Sequence, residues 1–281
     1  MEVVIAPTEP VKRLAESYGI ERPIRVIPTG IDNRLLEEAP LPSPSPWPEG
    51  KRRLITVGRL GKEKSFDVVL KAVARIAQEE DVFLVHIGEG PELPHLQALA
   101  QELGIAERVL FLGPVPYRRI GGYYRLAELF LFASETETQG LVIWEAQAMG
   151  VPVVAVGAEG VLEGVEDGKT GHLVPPGDFR ALAEKALELL RDEEKRRRFS
   201  LQARAWAWSA RQKPSPSGSW PSTTRRARSC GWSREGSSFP FPGFPEVARG
   251  SPRRFLACLR RNRPHPPLSL RAEVRTKAPG T

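Results

Sequence analysis

The sequence predicts an α/β protein built on a doubly wound, parallel, Rossmann-like sheet. Short apolar runs alternate with amphipathic stretches across residues 3–212, the signature of layered α/β folds. Runs such as Val82-Phe83-Leu84-Val85 and Leu129-Phe130-Leu131-Phe132 are apolar at every position, as strands covered on both faces must be. Glycine-bearing loops follow several of these runs, where such sheets bind their ligands, at the strands' carboxyl ends.

Taken in order, Val3–Ala6 is a short apolar run, and Thr8 caps a helix reaching about Tyr18, where Gly19 stops it. Arg25–Ile27 is another short strand. The stretch Pro40-Leu41-Pro42-Ser43-Pro44-Ser45-Pro46-Trp47-Pro48 can continue neither helix nor sheet. It marks a domain boundary, with residues 1–45 before it and a main domain over 46–212. Strands are expected at Arg53–Val57, Val82–Ile87, Val109–Leu112, Leu129–Ala133 and Val153–Val156. Helices are expected at about Ser65–Glu79, Glu92–Leu103, Tyr117–Leu126 and Leu141–Met149. A hairpin over Glu163–Val174, turned at Asp167-Gly168, and a charged helix from Asp178 to about Ser200 complete the domain.

After Gln212 the patterning stops. Residues 213–281 hold 11 prolines, 12 arginines and 10 serines with no sustained period, so a disordered basic tail is expected. It reads either as a functional basic arm or as translation in a shifted frame, and the unpatterned composition favours the second. The tail carries 14 basic against 3 acidic residues, leaving 27 basic and 31 acidic in the first 212. The net charge of +7 therefore describes neither part, and no specific nucleic-acid partner follows for the domain. Both cysteines, Cys230 and Cys258, also lie in the tail, so residues 1–212 offer no disulfide or thiolate metal site. No run approaches the ~20 apolar residues of a membrane span, and the amino terminus lacks the pattern of an export signal. The expectation is a cytoplasmic protein.

The strongest constellation runs from Glu137-Thr138-Gln139-Gly140-Leu141-Val142-Ile143-Trp144-Glu145 to Met149-Gly150-Val151-Pro152-Val153. Two carboxylates eight residues apart flank a glycine that leads into a helix. A helix start offers unpaired amides and a positive dipole end, suited to a diphosphate. A carboxylate accepts from two neighbouring hydroxyls at once, so Glu137 and Glu145 suit sugar diols. Either glutamate alone would read as a solvated helix-start residue. The second element is Val57-Gly58-Arg59-Leu60-Gly61-Lys62-Glu63-Lys64, where Arg59 and Lys64 can neutralise a departing diphosphate and Lys62 is a decoy. Gly88-Glu89-Gly90-Pro91-Glu92-Leu93 lacks the third glycine of a dinucleotide fingerprint. Of the histidines, His86 reads as core and His172 as structural. No pair has metal spacing, so neither metal nor cofactor is expected.

These strings resemble the family 4 (group 1) retaining glycosyltransferases of the two-domain GT-B architecture, over about residues 4–212. The resemblance implies that this is the carboxy-terminal, nucleotide-sugar-binding half of such an enzyme. It implies that Glu137 holds donor-sugar hydroxyls, Glu145 the ribose, and Arg59 and Lys64 the leaving diphosphate. The amides at Gly140, Leu141 and Val142 would face the diphosphate, and Gly58, Gly88, Gly113 and Val115 would line the nucleotide. Residues 1–45 then read as a remnant of the acceptor domain and its linker, with the rest of that domain missing. The implied reaction moves a hexose from a UDP- or GDP-sugar to a hydroxyl with configuration retained. A nucleotide-sugar-binding module without catalysis is the alternative. Glu137-Thr138-Gln139-Gly140 is similar to the bacterial diacylglycerol glucosyltransferases, which suggests a membrane lipid acceptor and a peripheral place at the inner membrane face, with a saccharide as the other possibility.

Overall fold

The computed structural model describes residues 3–212; the basic segment 213–281 lies outside the described residues. The chain begins with β1 (Val4–Ala6), α1 (Glu9–Ser17), β2 (Ile24–Val26) and α2 (Asn33–Glu37). The Thr8 hydroxyl accepts from the Val11 amide, and Pro10 fits the first turn, which fixes where α1 starts. β1 and β2 pair in parallel as a two-stranded sheet of their own. α1 buries none of its residues, and Ile5, Leu14 and Tyr18 stay exposed around it.

The main sheet is formed by β3 (Arg52–Val57), β4 (Val82–Ile87), β5 (Val109–Gly113), β6 (Leu129–Phe132), β7 (Val153–Val156) and β8 (Gly171–Val174). Its order is β5-β4-β3-β6-β7-β8, and every pairing is parallel. Between the strands run α3 (Phe66–Ile76), α4 (Leu93–Glu102), α5 (Tyr117–Leu126), α6 (Leu141–Ala148) and α7 (Glu159–Leu162). α8 (Phe179–Arg191) and α9 (Glu193–Gln212) close the chain. The period of two splits the sheet's side chains between two cores. Leu54, Leu84, Leu131 and Val154 meet α3 and α8 on one face, while Ile55, Val85, Phe130 and Val153 meet α5 and α6 on the other. α3 buries seven of its residues, Phe66 to Ile76, each large side chain contributing roughly 1.5–3 kcal/mol. This is the doubly wound parallel sheet the apolar runs predict.

Two expected elements are different. The hairpin over Glu163–Val174 does not form: only Gly171–Val174 is a strand, and it pairs in parallel with β7, Val153 against Gly171. Val161 and Val165, four apart, both enter the core from α7 and the turn after it, which is helical rather than strand spacing. Asp167-Gly168 does turn the chain, but the turn closes on itself, the Glu166 amide donating to the Thr170 hydroxyl at 3.0 Å. The single charged helix from Asp178 is two. Asp192 leaves the helical conformation (φ −100°, ψ 91°), and its carboxylate caps α9 by accepting from the Lys195 amide at 2.8 Å. α9 then lies along α6, with Ser200 donating to the Gly150 carbonyl at 2.6 Å.

The proline-rich stretch is tied to the sheet by Trp47. Its buried indole donates to the Leu54 carbonyl at 3.0 Å. Gly121 and Gly122 let the backbone around Leu36 and Pro40 lie against α5, since a Cβ at either would stand about 2.0 and 1.9 Å from those carbonyls.

Candidate functional site

β3 has β4 on one side and β6 on the other, and the chain leaves β3 and β6 in opposite directions, to β4 and to β7. Such a switch point opens a crevice at the strands' carboxyl ends. Here the loop after β3 faces the loop after β6, which brings together the two strings singled out in the sequence.

The floor of this edge is glycine backbone. The Gly58 amide donates to Ile87 and the Gly88 amide to Gly113, at 3.0 and 2.9 Å. Gly88 has φ +138°, and a Cβ there would stand 2.0 Å from the Gly58 carbonyl oxygen, so only glycine fits. Val115, half-buried, packs against the core beside the end of β5.

Charged side chains form the rim. Lys64 and Glu137, 73 residues apart, meet with Nζ 2.6 Å from Oε1. Both are largely shielded, their side chains 22% and 14% exposed. The backbone that delivers Lys64 is a tight 3-10 turn, Lys62–Lys64, followed by Ser65 in the left-handed region at φ 49°. Arg59 is not drawn to Glu137. It reaches back to Glu63 at 2.6 Å and stays mostly exposed. The Glu63 carboxyl is held below its usual range by its own backbone amide and by Arg59. Lys62 is exposed, with no part in these pairs.

Gly140 precedes α6 at φ 60°, ψ 47°, and Leu141 and Val142, half-buried, begin the helix. Helix geometry leaves the first amides without a carbonyl one turn back. One turn further on, Glu145 is buried at 7% exposure. The fully buried Tyr124 donates its hydroxyl to Glu145 Oε2 at 3.1 Å, and the nearby Tyr117 hydroxyl also favours the charged carboxylate. Burial pushes the Glu145 carboxyl up to about 7, against the pull of both tyrosines. The Tyr117 hydroxyl rises to about 12, through burial first and the neighbouring glutamate second.

The structure thus joins Lys64 with Glu137 and aligns Gly58, Gly88 and Gly113. It places Glu137 in the loop before Gly140 and Glu145 in the helix after it, and turns Arg59 outward. Sequence reasoning missed Tyr117 and Tyr124. Their spacing of seven puts them on one helix face, but nothing in that spacing says what the face meets. His86 is core, 1% exposed, edge-on to the Phe66 ring at 4.6 Å and pushed down to about 4 by burial. His172 packs on the Phe199 ring between Asp167 and Glu188. A surface hollow of about 230 Å³ is lined by Gly61, Lys62, Phe66, Asp67, Glu92 and His95, and by neither Glu137 nor Glu145. Among the described residues there is no group of three His, Cys, Asp or Glu placed to hold a metal, and no helix long and apolar enough to cross a membrane.

Residues 38–206 match the family Glycosyl transferases group 1. The chain is 38% identical over 163 residues to an alpha-monoglucosyldiacylglycerol synthase of Streptococcus pneumoniae, covering 55% of this chain and 37% of that protein. It is 36% identical over 217 residues to a D-inositol 3-phosphate glycosyltransferase of Nocardia farcinica, covering 73% and 48%. The chain therefore spans less than half the length of these relatives. Among solved structures it is similar to an Anabaena protein, HepE, in complex with UDP and glucose (TM-score 0.64, 27% identity, 74% of this chain and 58% of that one). It also covers 97% of the C-terminal domain of a glycosyl transferase group 1 family protein from Francisella tularensis, with 64% of its own length, at TM-score 0.55 and 22% identity. The shared fold is therefore that of the carboxy-terminal half of a GT-B enzyme, and the chain belongs to the group 1 glycosyl transferases.

Proposed function

We propose that residues 46–212 bind a nucleoside diphosphate sugar, UDP-linked in preference to GDP-linked, and form the donor half of a retaining hexosyltransferase. The observation that carries this reading is the Lys64–Glu137 pair at 2.6 Å over a glycine floor at the sheet's switch point. A cation and a carboxylate held apart in sequence and joined there match a ligand with a diphosphate at one end and hydroxyls at the other. On this reading Glu137 exchanges Lys64 for hydroxyls of the hexose, and Lys64 turns to the diphosphate. Arg59 joins it by leaving Glu63, a cheap step for an exposed pair. The Gly140, Leu141 and Val142 amides receive the diphosphate at the start of α6. Glu145 takes the ribose hydroxyls, and the Gly113–Val115 turn lines the base. The hexose passes to an acceptor hydroxyl on the face the diphosphate leaves, which retains configuration. The diphosphate departs with the bonding electron pair, and the acceptor proton follows it.

The similarity to HepE, solved with UDP and glucose, supports uridine. The similarity to a monoglucosyldiacylglycerol synthase, together with Glu137-Thr138-Gln139-Gly140, supports a lipid acceptor and a cytoplasmic site at the inner membrane face. Calorimetry of the folded chain with UDP, UDP-glucose and GDP-mannose tests the donor reading. UDP and UDP-glucose should bind; a folded sample that takes up no nucleotide sugar at millimolar concentration would overturn it. Turnover with diacylglycerol vesicles against soluble sugars as acceptors then separates transferase from binding module.

A further inference from the structure

The loop Glu137–Gly140 is pinned residue by residue. Lys64 holds the Glu137 carboxylate. Gly160 packs so closely under the Glu137 carbonyl that a Cβ there would stand 2.0 Å from its oxygen. The Thr138 carbonyl accepts from the hydroxyl of Thr8, a residue only 1% exposed, at 3.0 Å. The Gln139 carboxamide makes two bonds to one residue of the segment before α2. Its Oε1 accepts from the Thr29 amide at 2.9 Å, and its Nε2 donates to the Thr29 carbonyl at 2.8 Å. That is the pairing one strand gives another, made here by a side chain across 110 residues.

We propose that Gln139 is a positioning residue: its carboxamide locks the Glu137–Gly140 loop to the backbone of Thr29, so the amino-terminal segment sets where Glu137 and the Gly140–Leu141 amides stand. This rests on the donor-site reading above and assigns a task to residues 8 and 29 that the donor site itself does not require. A glutamine is suited to it because one planar group supplies both a donor and an acceptor. Glutamate has the same shape and lacks the donor. The sugar and diphosphate ends of the ligand depend on this loop, whereas the ribose and base are held by Glu145 in α6 and by the turn after β5. Loosening the lock should therefore act on part of the ligand only.

The test uses the full chain with Gln139→Ala and Gln139→Glu. Amide exchange followed by NMR should show Thr29 protected in the parent and exposed in Gln139→Ala, with the Ile55 amide of β3 unchanged; Gln139→Glu keeps the acceptor for the Thr29 amide and loses only the bond to its carbonyl. UDP and UDP-glucose should each bind roughly three- to tenfold more weakly in both variants, the loss of one or two neutral hydrogen bonds. UMP should bind as before. Unchanged exchange at Thr29 in Gln139→Ala, an equal loss for UMP, or parental affinity in Gln139→Glu would each overturn the proposal. If the parent binds none of the three nucleotides, it is the donor reading that fails. Exchange at Thr29 and across 137–141 then still decides the lock without a ligand.

Discussion

Replacing Glu145 by glutamine should make the protein more stable at high pH and worse at holding nucleotide. The side chain is 7% exposed, and its carboxyl stands at about 7 in the folded state. In the unfolded chain it returns to about 4.3. Between these values the folded state holds more protons than the unfolded one, so stability falls as pH rises through this window and levels off above it. The substituted carboxamide would keep an oxygen for the Tyr124 hydroxyl and carry no charge to bury. The stability difference between variant and parent should therefore widen in the variant's favour by about 2–3 kcal/mol from pH 5 to pH 8. A fixed offset of about 1 kcal/mol against the variant is expected if its amide finds no second acceptor, and this does not vary with pH. Urea titrations at the two pH values read the difference. Calorimetry at pH 8 should show nucleotide binding weakened by about 1–3 kcal/mol, the worth of hydrogen bonds to a charged group. A stability gap that is the same at both pH values would refute the reasoning, because burial of the charge would not be what separates the two proteins.

Glu137→Gln should weaken UDP-glucose while leaving free UDP within about twofold, since only the conjugate carries a hexose and a glutamine keeps an oxygen for Lys64; equal losses for both ligands would dismiss the assigned role. Gly88→Ala should cost more than about 3 kcal/mol or prevent folding, because its Cβ meets the Gly58 carbonyl, whereas Gly168→Ala, at φ +74° with open space around it, should cost about 1 kcal/mol. Denaturation midpoints of the two variants check the contrast. His86 contributes a pH dependence of the opposite sign to Glu145. Its folded value of about 4 lies below the ordinary 6.5, so stability present above 6.5 is lost as pH falls towards 4. His86→Leu should remove about 2 kcal/mol of that loss between pH 7 and pH 5, and an unchanged acid limb would count against it.

Most of the sheet was legible because its central strands carry unbroken apolar runs, as in β6 and β7, and β4 and β7 have the expected ends to the residue. The segment 163–174 was misread because Asp167-Gly168 is a true turn signal that does not say what it joins. The partner of β8 is β7, and that pairing depends on tertiary packing rather than on local sequence. The break at Asp192 carried a signal that was overlooked: Asp192-Glu193-Glu194 is an acidic helix start in the middle of a helical pattern. At the candidate site, the strings singled out Lys64 and Glu137, which the fold then pairs. The two tyrosines on Glu145 and the Gln139–Thr29 lock were not, since partners 21 to 110 residues apart meet only when the fold is complete.

The row of Gly58, Gly88 and Gly113 is made of main chain alone, so it has no rotamers to freeze when something settles on it. Its amides are already committed to neighbouring strands, Gly58 to Ile87 and Gly88 to Gly113. Such a surface discriminates by outline and not by charge. Whatever preference the crevice has for one occupant over another must be written around it, in residues 59–64, 114–115 and 137–145. Evolution can retune those positions one at a time. At Gly88 the floor beneath them tolerates no first step, because even a methyl group there meets the Gly58 carbonyl.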